Sequence, residues 1–126
     1  MINYFRDRPE RVRKLDVLAG FKTPSAVICS GDIQSCEQCF NTIITVDDAC
    51  VPWSGCEGLV TNFIPDLEIG DPESTHAVVV GPPVMLRFAV QELLKKGLFE
   101  DRIWISLERS MHCGLGKCGH CRIEDR

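Results

Sequence analysis

The stretch Ala77-Val78-Val79-Val80, running into Gly81-Pro82-Pro83, constrains the fold of this chain more than any other. An unbroken β-branched run has no polar alternation with which to present one face to water. It therefore suits a strand covered on both faces, as strands of a parallel sheet are. Gly81 stops the strand, and proline is at home in the first turn of a helix. Across residues 83–96, Leu86, Val90, Leu93 and Leu94 fall on one face and Arg87, Gln91 and Lys95 on the other, with Gly97 placed to end the helix. Strand, tight turn and amphipathic helix in that order are the repeating unit of an α/β domain.

Three further runs read as strands: residues 14–19, stopped by Gly20; residues 42–46, where Ile43, Ile44 and Val46 give a β-branched character; and residues 102–107. A short helix is expected from about residue 56 to Pro65, and residues 2–7 read as the tail of another, closing at Arg8-Pro9. Between residues 24 and 41 the pattern leaves helix and loop both open. The expected architecture is α/β with an open, mainly parallel sheet.

At 126 residues the chain is the size of one ordinary domain, and at this length a core forms without disulfides, so its eight cysteines call for a separate explanation. Eighteen acidic against fourteen basic side chains, a net charge of −4, exclude a general nucleic-acid binder. The basic cluster Arg6, Arg8, Arg11, Arg13 and Lys14 reads as the polar face of a first helix. No run reaches the roughly 18 apolar residues of a membrane span, and the first residues lack the apolar stretch of a signal peptide. A cytoplasmic chain is expected. Thiols stay reduced there, and closely spaced cysteines read as metal ligands.

The strongest such spacing is Cys113-x4-Cys118-x2-Cys121, threaded with Gly114, Gly116 and Gly119. It matches the first three ligands of a plant-type [2Fe-2S] set. Three thiolates converging on one small cluster require a tightly folded loop whose backbone N–H groups reach the sulfurs, which glycine permits. Zinc, with His112 or His120 completing a tetrahedral site, is the alternative. The fourth ligand is open: a partner chain, a further C-terminal stretch, or one of Cys29, Cys36, Cys39, Cys50 and Cys56 would have to supply it. Cys36-x2-Cys39 reads as ordinary reduced cysteines, with a second metal half-site or a redox pair as alternatives.

Two strand-end turns suit a nucleotide, since ligands of open parallel sheets gather outside the carboxyl ends of the strands. Gly20-Phe21-Lys22-Thr23-Pro24 offers a glycine, a cation and a hydroxyl for ribose or phosphate. At Val80-Gly81-Pro82-Pro83 the glycine lets a flat ring approach the backbone, although a Gly-Pro turn between strand and helix is commonly structural.

These pieces, together with Thr45-Val46-Asp47, Trp53-Ser54-Gly55, Gly58-Leu59-Val60-Thr61, Val84-Met85 and Ser106-Leu107-Glu108-Arg109, resemble the NAD(P)-binding half of ferredoxin-reductase-like electron-transfer subunits. Sulfhydrogenase gamma subunits, the corresponding subunit of anaerobic sulfite reductase and the electron-transfer subunit of dihydroorotate dehydrogenase are the nearest in pattern. The resemblance implies residues 1–110 as a partial NAD(P)-binding α/β domain, shortened at its N-terminus, and residues 111–126 as an incomplete [2Fe-2S] loop. It implies that Cys113, Cys118 and Cys121 ligate iron, that Gly81, Pro82 and Pro83 flank the nicotinamide, and that Gly20, Lys22 and Thr23 lie by the adenosine ribose. It also implies hydride exchange between NAD(P)H and FAD, then single-electron transfer to a catalytic partner subunit.

Three departures qualify this. The flavin-binding barrel of such proteins is absent, so FAD would come only through a missing domain or a partner chain. The glycine-rich turn before the first helix is missing, which weakens the NAD(P) expectation. Val80 stands where a cysteine commonly precedes Gly-Pro-Pro. A missing first strand would leave a sheet edge open and predicts a partner. The main reading is an electron-transfer module; the alternatives are a structural or assembly protein with a zinc loop, or an inactive fragment. No catalytic acid, base or nucleophile is assigned, Glu108 being the nearest candidate.

Overall fold

The computed structural model describes residues 2–49, 51–107 and 112–120. The chain divides into two compact units, Met1–Glu68 and Ile69–Arg126, so the expected C-terminal loop belongs to the second. Cys50, Glu108, Arg109, Met111 and Cys121 lie outside the described residues. No described helix is long and apolar enough to cross a membrane.

The first unit opens with α1 (Ile2–Arg6), then β1 (Asp16–Phe21), α2 (Ser30–Cys39), β2 (Asn41–Val46) and β3 (Cys56–Glu57). The three strands form one parallel sheet in the order β1-β2-β3, with Asp16 opposite Asn41, Phe21 opposite Val46, and Thr45 opposite Cys56. In β2, Ile44, Thr45 and Val46 are all buried, so consecutive residues pointing to opposite faces both find cover. Cys36 of α2, 6% exposed, and Ile64, also 6%, belong to the same core. A hydroxyl buried there must find a partner, and Thr45 Oγ1 donates to the Gly58 carbonyl at 2.5 Å.

The structure departs from the sequence expectation at three places and decides a fourth that the sequence left open: β1 runs through Gly20 to Phe21 instead of stopping at the glycine, and of the basic cluster only Arg6 lies in α1, the other four falling outside it. Residues 30–39, left open between helix and loop, form α2, although its N-cap Cys29 is left-handed (φ 57°) and offers no side-chain cap. Within α2 only Cys36 is buried, so a periodic apolar face was never there to read. The helix expected from residue 56 is instead β3 followed by a 3₁₀ turn at Val60–Phe63. The Gly58 N–H donates to the Val46 carbonyl at 2.8 Å, and pairing with β2 holds this segment extended.

The second unit holds β4 (Ala77–Gly81), α3 (Pro83–Lys95) and β5 (Ile103–Leu107), with β4 and β5 parallel and Val78 opposite Trp104. α3 buries Leu86, Ala89 and Leu93, spaced three and four apart. Its end is closed by Gly97 at φ 88°, where the Gly97 N–H reaches the Leu94 carbonyl at 2.9 Å and the Leu98 N–H the Leu93 carbonyl at 3.1 Å. This is a Schellman motif, and Leu98, 3% exposed, is its apolar anchor. The opposite side of β4 is bare: Val78 is 46% and Val80 54% exposed, with Trp104 of β5 at 61%.

Candidate functional site

The cysteine loop folds as its glycines dictate. Gly114, Gly116 and Gly119 sit at φ 67°, 72° and 72°, left-handed values that cost any other residue. These turns curl the chain so that the Cys118 N–H donates to Cys113 Sγ at 3.5 Å, and the Gly119 N–H to the Gly116 carbonyl at 3.4 Å. The thiol answers to that environment. The Cys118 N–H first, then the Leu115 N–H, the Cys118 side chain and the Lys117 N–H favour the thiolate of Cys113, drawing its pKa from 9.0 down to about 6 against a small opposing effect of burial. The rings of His112 and His120 meet edge-on with centroids 4.0 Å apart, joining the two ends of the described loop.

Of the three expected ligands, then, Cys113 and Cys118 are brought together, and Cys121 lies outside the described residues. The donor chemistry fits a thiolate-held metal group, because a loop that stabilises the sulfur anion with main-chain N–H groups does what such a group asks of its protein. Among the described residues alone, no group of three or more His, Cys, Asp or Glu side chains is assembled for a metal ion. Cys29, Cys36, Cys39 and Cys56, the described candidates for a fourth ligand, all belong to the first unit, where Cys36 is buried and Cys29 and Cys39 are exposed.

The residues expected from the sequence to face a nucleotide fall into two groups. In the first unit, Gly20 lies within β1, and a Cβ there would stand 2.8 Å from Val60 Cβ, so close packing of the 3₁₀ turn on the strand requires glycine. Lys22 projects into solvent just past β1, and Thr23 Oγ1 lies 3.0 Å from Ser25 Oγ. The parallel ladder runs on beyond the strands, with the Asp47 N–H donating to the Phe21 carbonyl at 2.9 Å and the Asp48 N–H to the Lys22 carbonyl at 3.2 Å. Asp48 is thereby set beside Lys22, a neighbour that its place 26 positions along the chain did not announce. In the second unit, Gly81 ends β4 with the Met85 methyl packed where a Cβ would stand, and Pro82 and Pro83 start α3. Main-chain donors to the sulfurs are expected from the sequence, but which amides serve, those of Cys118, Leu115 and Lys117, only the fold decides.

No protein-family model matches the chain. Among curated proteins it is 48% identical over 68 residues to the sulfhydrogenase 2 subunit gamma of Pyrococcus furiosus, a match covering 54% of this chain and 23% of that one. The sulfhydrogenase 1 subunit gamma of the same organism is 37% identical over 71 residues, covering 56% and 24%. The electron transfer subunit of dihydroorotate dehydrogenase B (NAD(+)) of Streptococcus pneumoniae is 29% identical over 98% of this chain and 44% of its own length. The chain thus matches less than half the length of each relative. Among solved structures, a ferredoxin reductase in carbazole 1,9a-dioxygenase superposes with a TM-score of 0.68 at 20% identity, over 82% of this chain and 31% of that one. The cytochrome b5 reductase domain of Ulva prolifera nitrate reductase gives 0.70 at 18%, over 83% and 42%. The parallel α/β fold and the resemblance read from the motifs are both met: the chain is similar in sequence to sulfhydrogenase gamma subunits and dihydroorotate dehydrogenase electron-transfer subunits, and it has the ferredoxin-reductase-like fold.

Proposed function

We propose that the chain is the electron-transfer module of an oxidoreductase complex, passing electrons between NAD(P)H or a flavin and a catalytic partner subunit. The observation that carries this reading is the thiolate-stabilising loop, in which Cys118 and three left-handed glycines arrange main-chain donors around Cys113. Cys113, Cys118 and Cys121 would hold a [2Fe-2S] cluster, a fourth ligand coming from elsewhere. Such a cluster, when bound, accepts and releases one electron at a time. The protein's own part is to keep the sulfurs ionised and oriented by main-chain N–H groups, and to leave the loop exposed to a partner.

Lys22 and Thr23 at the end of β1 would meet the ribose and phosphates of a nicotinamide nucleotide, while Gly81, Pro82 and Pro83 would border its ring. Flavin would be supplied by a separate domain or chain. A second reading draws on the His112–His120 pair: imidazoles beside thiols are a zinc donor set, and the loop would then be structural.

Anaerobic purification followed by iron, acid-labile sulfide and zinc analysis, with an EPR spectrum after dithionite reduction, separates the two. Equal iron and sulfide with a reduced-cluster signal is the expected result. Zinc without sulfide transfers the conclusion to the structural reading, and no bound metal overturns both.

A further inference from the structure

The proposed electron-transfer role leaves the cysteine pair of α2 without a task, and the first unit holds a cleft beside it. The cleft has a volume of about 320 Å³ and lies at the amino ends of β1 and β2, the opposite end of the strands from Lys22 and Thr23. Val12, Leu15 and Phe40 give it an apolar lining, Arg13 and Lys14 its cations, and Cys39 a thiol. Cys39 is exposed, whereas Cys36, three residues earlier on the same helix, is buried. Residues three apart on an α-helix have Cα atoms about 5 Å from one another, within the range of about 4.4–6.8 Å that a disulfide spans. Both cysteines lie in the last turn of α2, which the Phe40 N–H closes on the Cys36 carbonyl at 2.8 Å. The two cations are not equivalent. Lys14 Nζ stands 3.3 Å from Asp16 Oδ2 and 3.9 Å from Glu68 Oε2, and donates to the Glu68 carbonyl at 3.2 Å. The Arg13 guanidinium holds no ion pair among the described residues.

We infer that this cleft receives a small disulfide bearing carboxylates, which exchanges with Cys39 and leaves Cys36 and Cys39 joined as a reversible redox pair. The cleft has the dimensions of a small-molecule site, and a guanidinium without a partner takes a carboxylate through two parallel N–H donors. The exchange balances in two steps. The thiolate of Cys39 attacks one sulfur of the ligand, the ligand's S–S bond breaks, and one small thiol leaves as the mixed disulfide on Cys39 forms. The thiolate of Cys36 then attacks Cys39 Sγ, expelling the second small thiol and forming the Cys36–Cys39 bond. The ligand gains two electrons and the protons of both cysteines, and the chain gives up the same. Burial sets the order, because Cys36 is shielded from a disulfide in solution and meets one only when it is already attached to its neighbour. The inference goes beyond the proposed function and uses none of the cysteines of the C-terminal loop.

The test uses the reduced full chain, with glutathione disulfide as probe and cystamine, which has ammonium groups and no carboxylate, as control. Glu37 lies between the two cysteines, so cleavage there followed by mass spectrometry distinguishes the products. A mixed disulfide makes the Cys39 peptide heavier by the small thiol, whereas a Cys36–Cys39 bond keeps the two peptides together. Expected is modification of Cys39 ahead of Cys29, which is also exposed, and about fivefold faster by glutathione disulfide than by cystamine, with joined peptides following. Arg13→Gln, at an exposed position, should remove the preference between the two disulfides. The mixed disulfide should persist in Cys36→Ala, and Cys39→Ser, which spares the core, should leave Cys36 unmodified. Equal rates with both disulfides, or Cys29 reacting first, would mean exposed thiols without a site. A mixed disulfide that persists in the parent chain would mean that the pair does not close, and no reaction at Cys39 would mean that the cleft takes no such ligand. Each of these overturns the inference. In all of them the metal and EPR results stand, so this inference and the proposed function fail separately.

Discussion

β2 and β4 are built from nearly the same material and meet opposite fates. Both are β-branched strands paired in parallel, but among the described residues β2 lies between two neighbours with Ile44, Thr45 and Val46 buried, whereas β4 has one neighbour and exposes Val78 and Val80. What differs is the surroundings. Strand-forming residues declare that a strand will form, while the covering depends on segments elsewhere in the chain or outside it.

The sharpest way to break this comparison is to place a charge on each strand. Val46→Asp buries an unpaired carboxylate at a fully enclosed position and should cost at least about 4 kcal/mol, unfolding the first unit. Val80→Asp, at a half-exposed position, should cost no more than about 1 kcal/mol. Urea unfolding followed by circular dichroism reads both, and equal costs would erase the distinction. Next in size is Leu98→Ala, which removes the apolar anchor at the end of α3 and should cost about 2–5 kcal/mol in the same measurement. Thr45→Val keeps the shape of the β2 core but leaves the Gly58 carbonyl without its hydroxyl donor, for about 1–3 kcal/mol.

Smaller effects belong to the cysteine loop. Gly116→Ala meets no steric neighbour, so its cost of about 1 kcal/mol is the left-handed backbone alone. The loop should loosen around Cys113, and the inflection for alkylation of that thiol should move up from about pH 6 towards its ordinary 9.0. In the parent metal-free chain the sign is fixed. The folded loop lowers this pKa, so its contribution to stability is full above pH 9 and is lost as pH falls towards 6. Mass spectrometry of iodoacetamide-treated protein across that window follows it, and an inflection that stays near 9 in the parent would remove the main-chain donors from the account.

How far the sequence reached depended on which forces were local. The span of α3 and the glycine that ends it were legible because a three-four apolar spacing, proline at one end and glycine at the other all act within the helix itself. The turns at Gly114, Gly116 and Gly119 were legible for a similar reason, since only glycine enters those conformations without strain. α2 was not, because its burial rests on the single residue Cys36 and its start on a left-handed cysteine. β3 was hidden because it is two residues held extended by β2 rather than by any preference of their own. The glycine at position 20 suits a ribose contact in sequence; what the structure shows there is close packing against Val60.

The proline start and the locally closed C-terminal end of α3 also bear on the order of events as the chain folds. β4 and β5 are joined through a 13-residue helix that, like α2, has no side-chain cap at its start, but carries proline in its first turn and ends in the Gly97–Leu98 closure. A crossover that forms early shortens the flexible chain remaining to be closed, so the entropy cost of bringing the two strands together falls. β1 and β2 are joined through the 10-residue α2, which starts at a left-handed Cys29 and has neither proline in its first turn nor a glycine at its end. Folding should therefore begin in the second unit, with the first unit following as β2 gains its neighbours, so that the half with the less complete sheet leads the half with the better covered one.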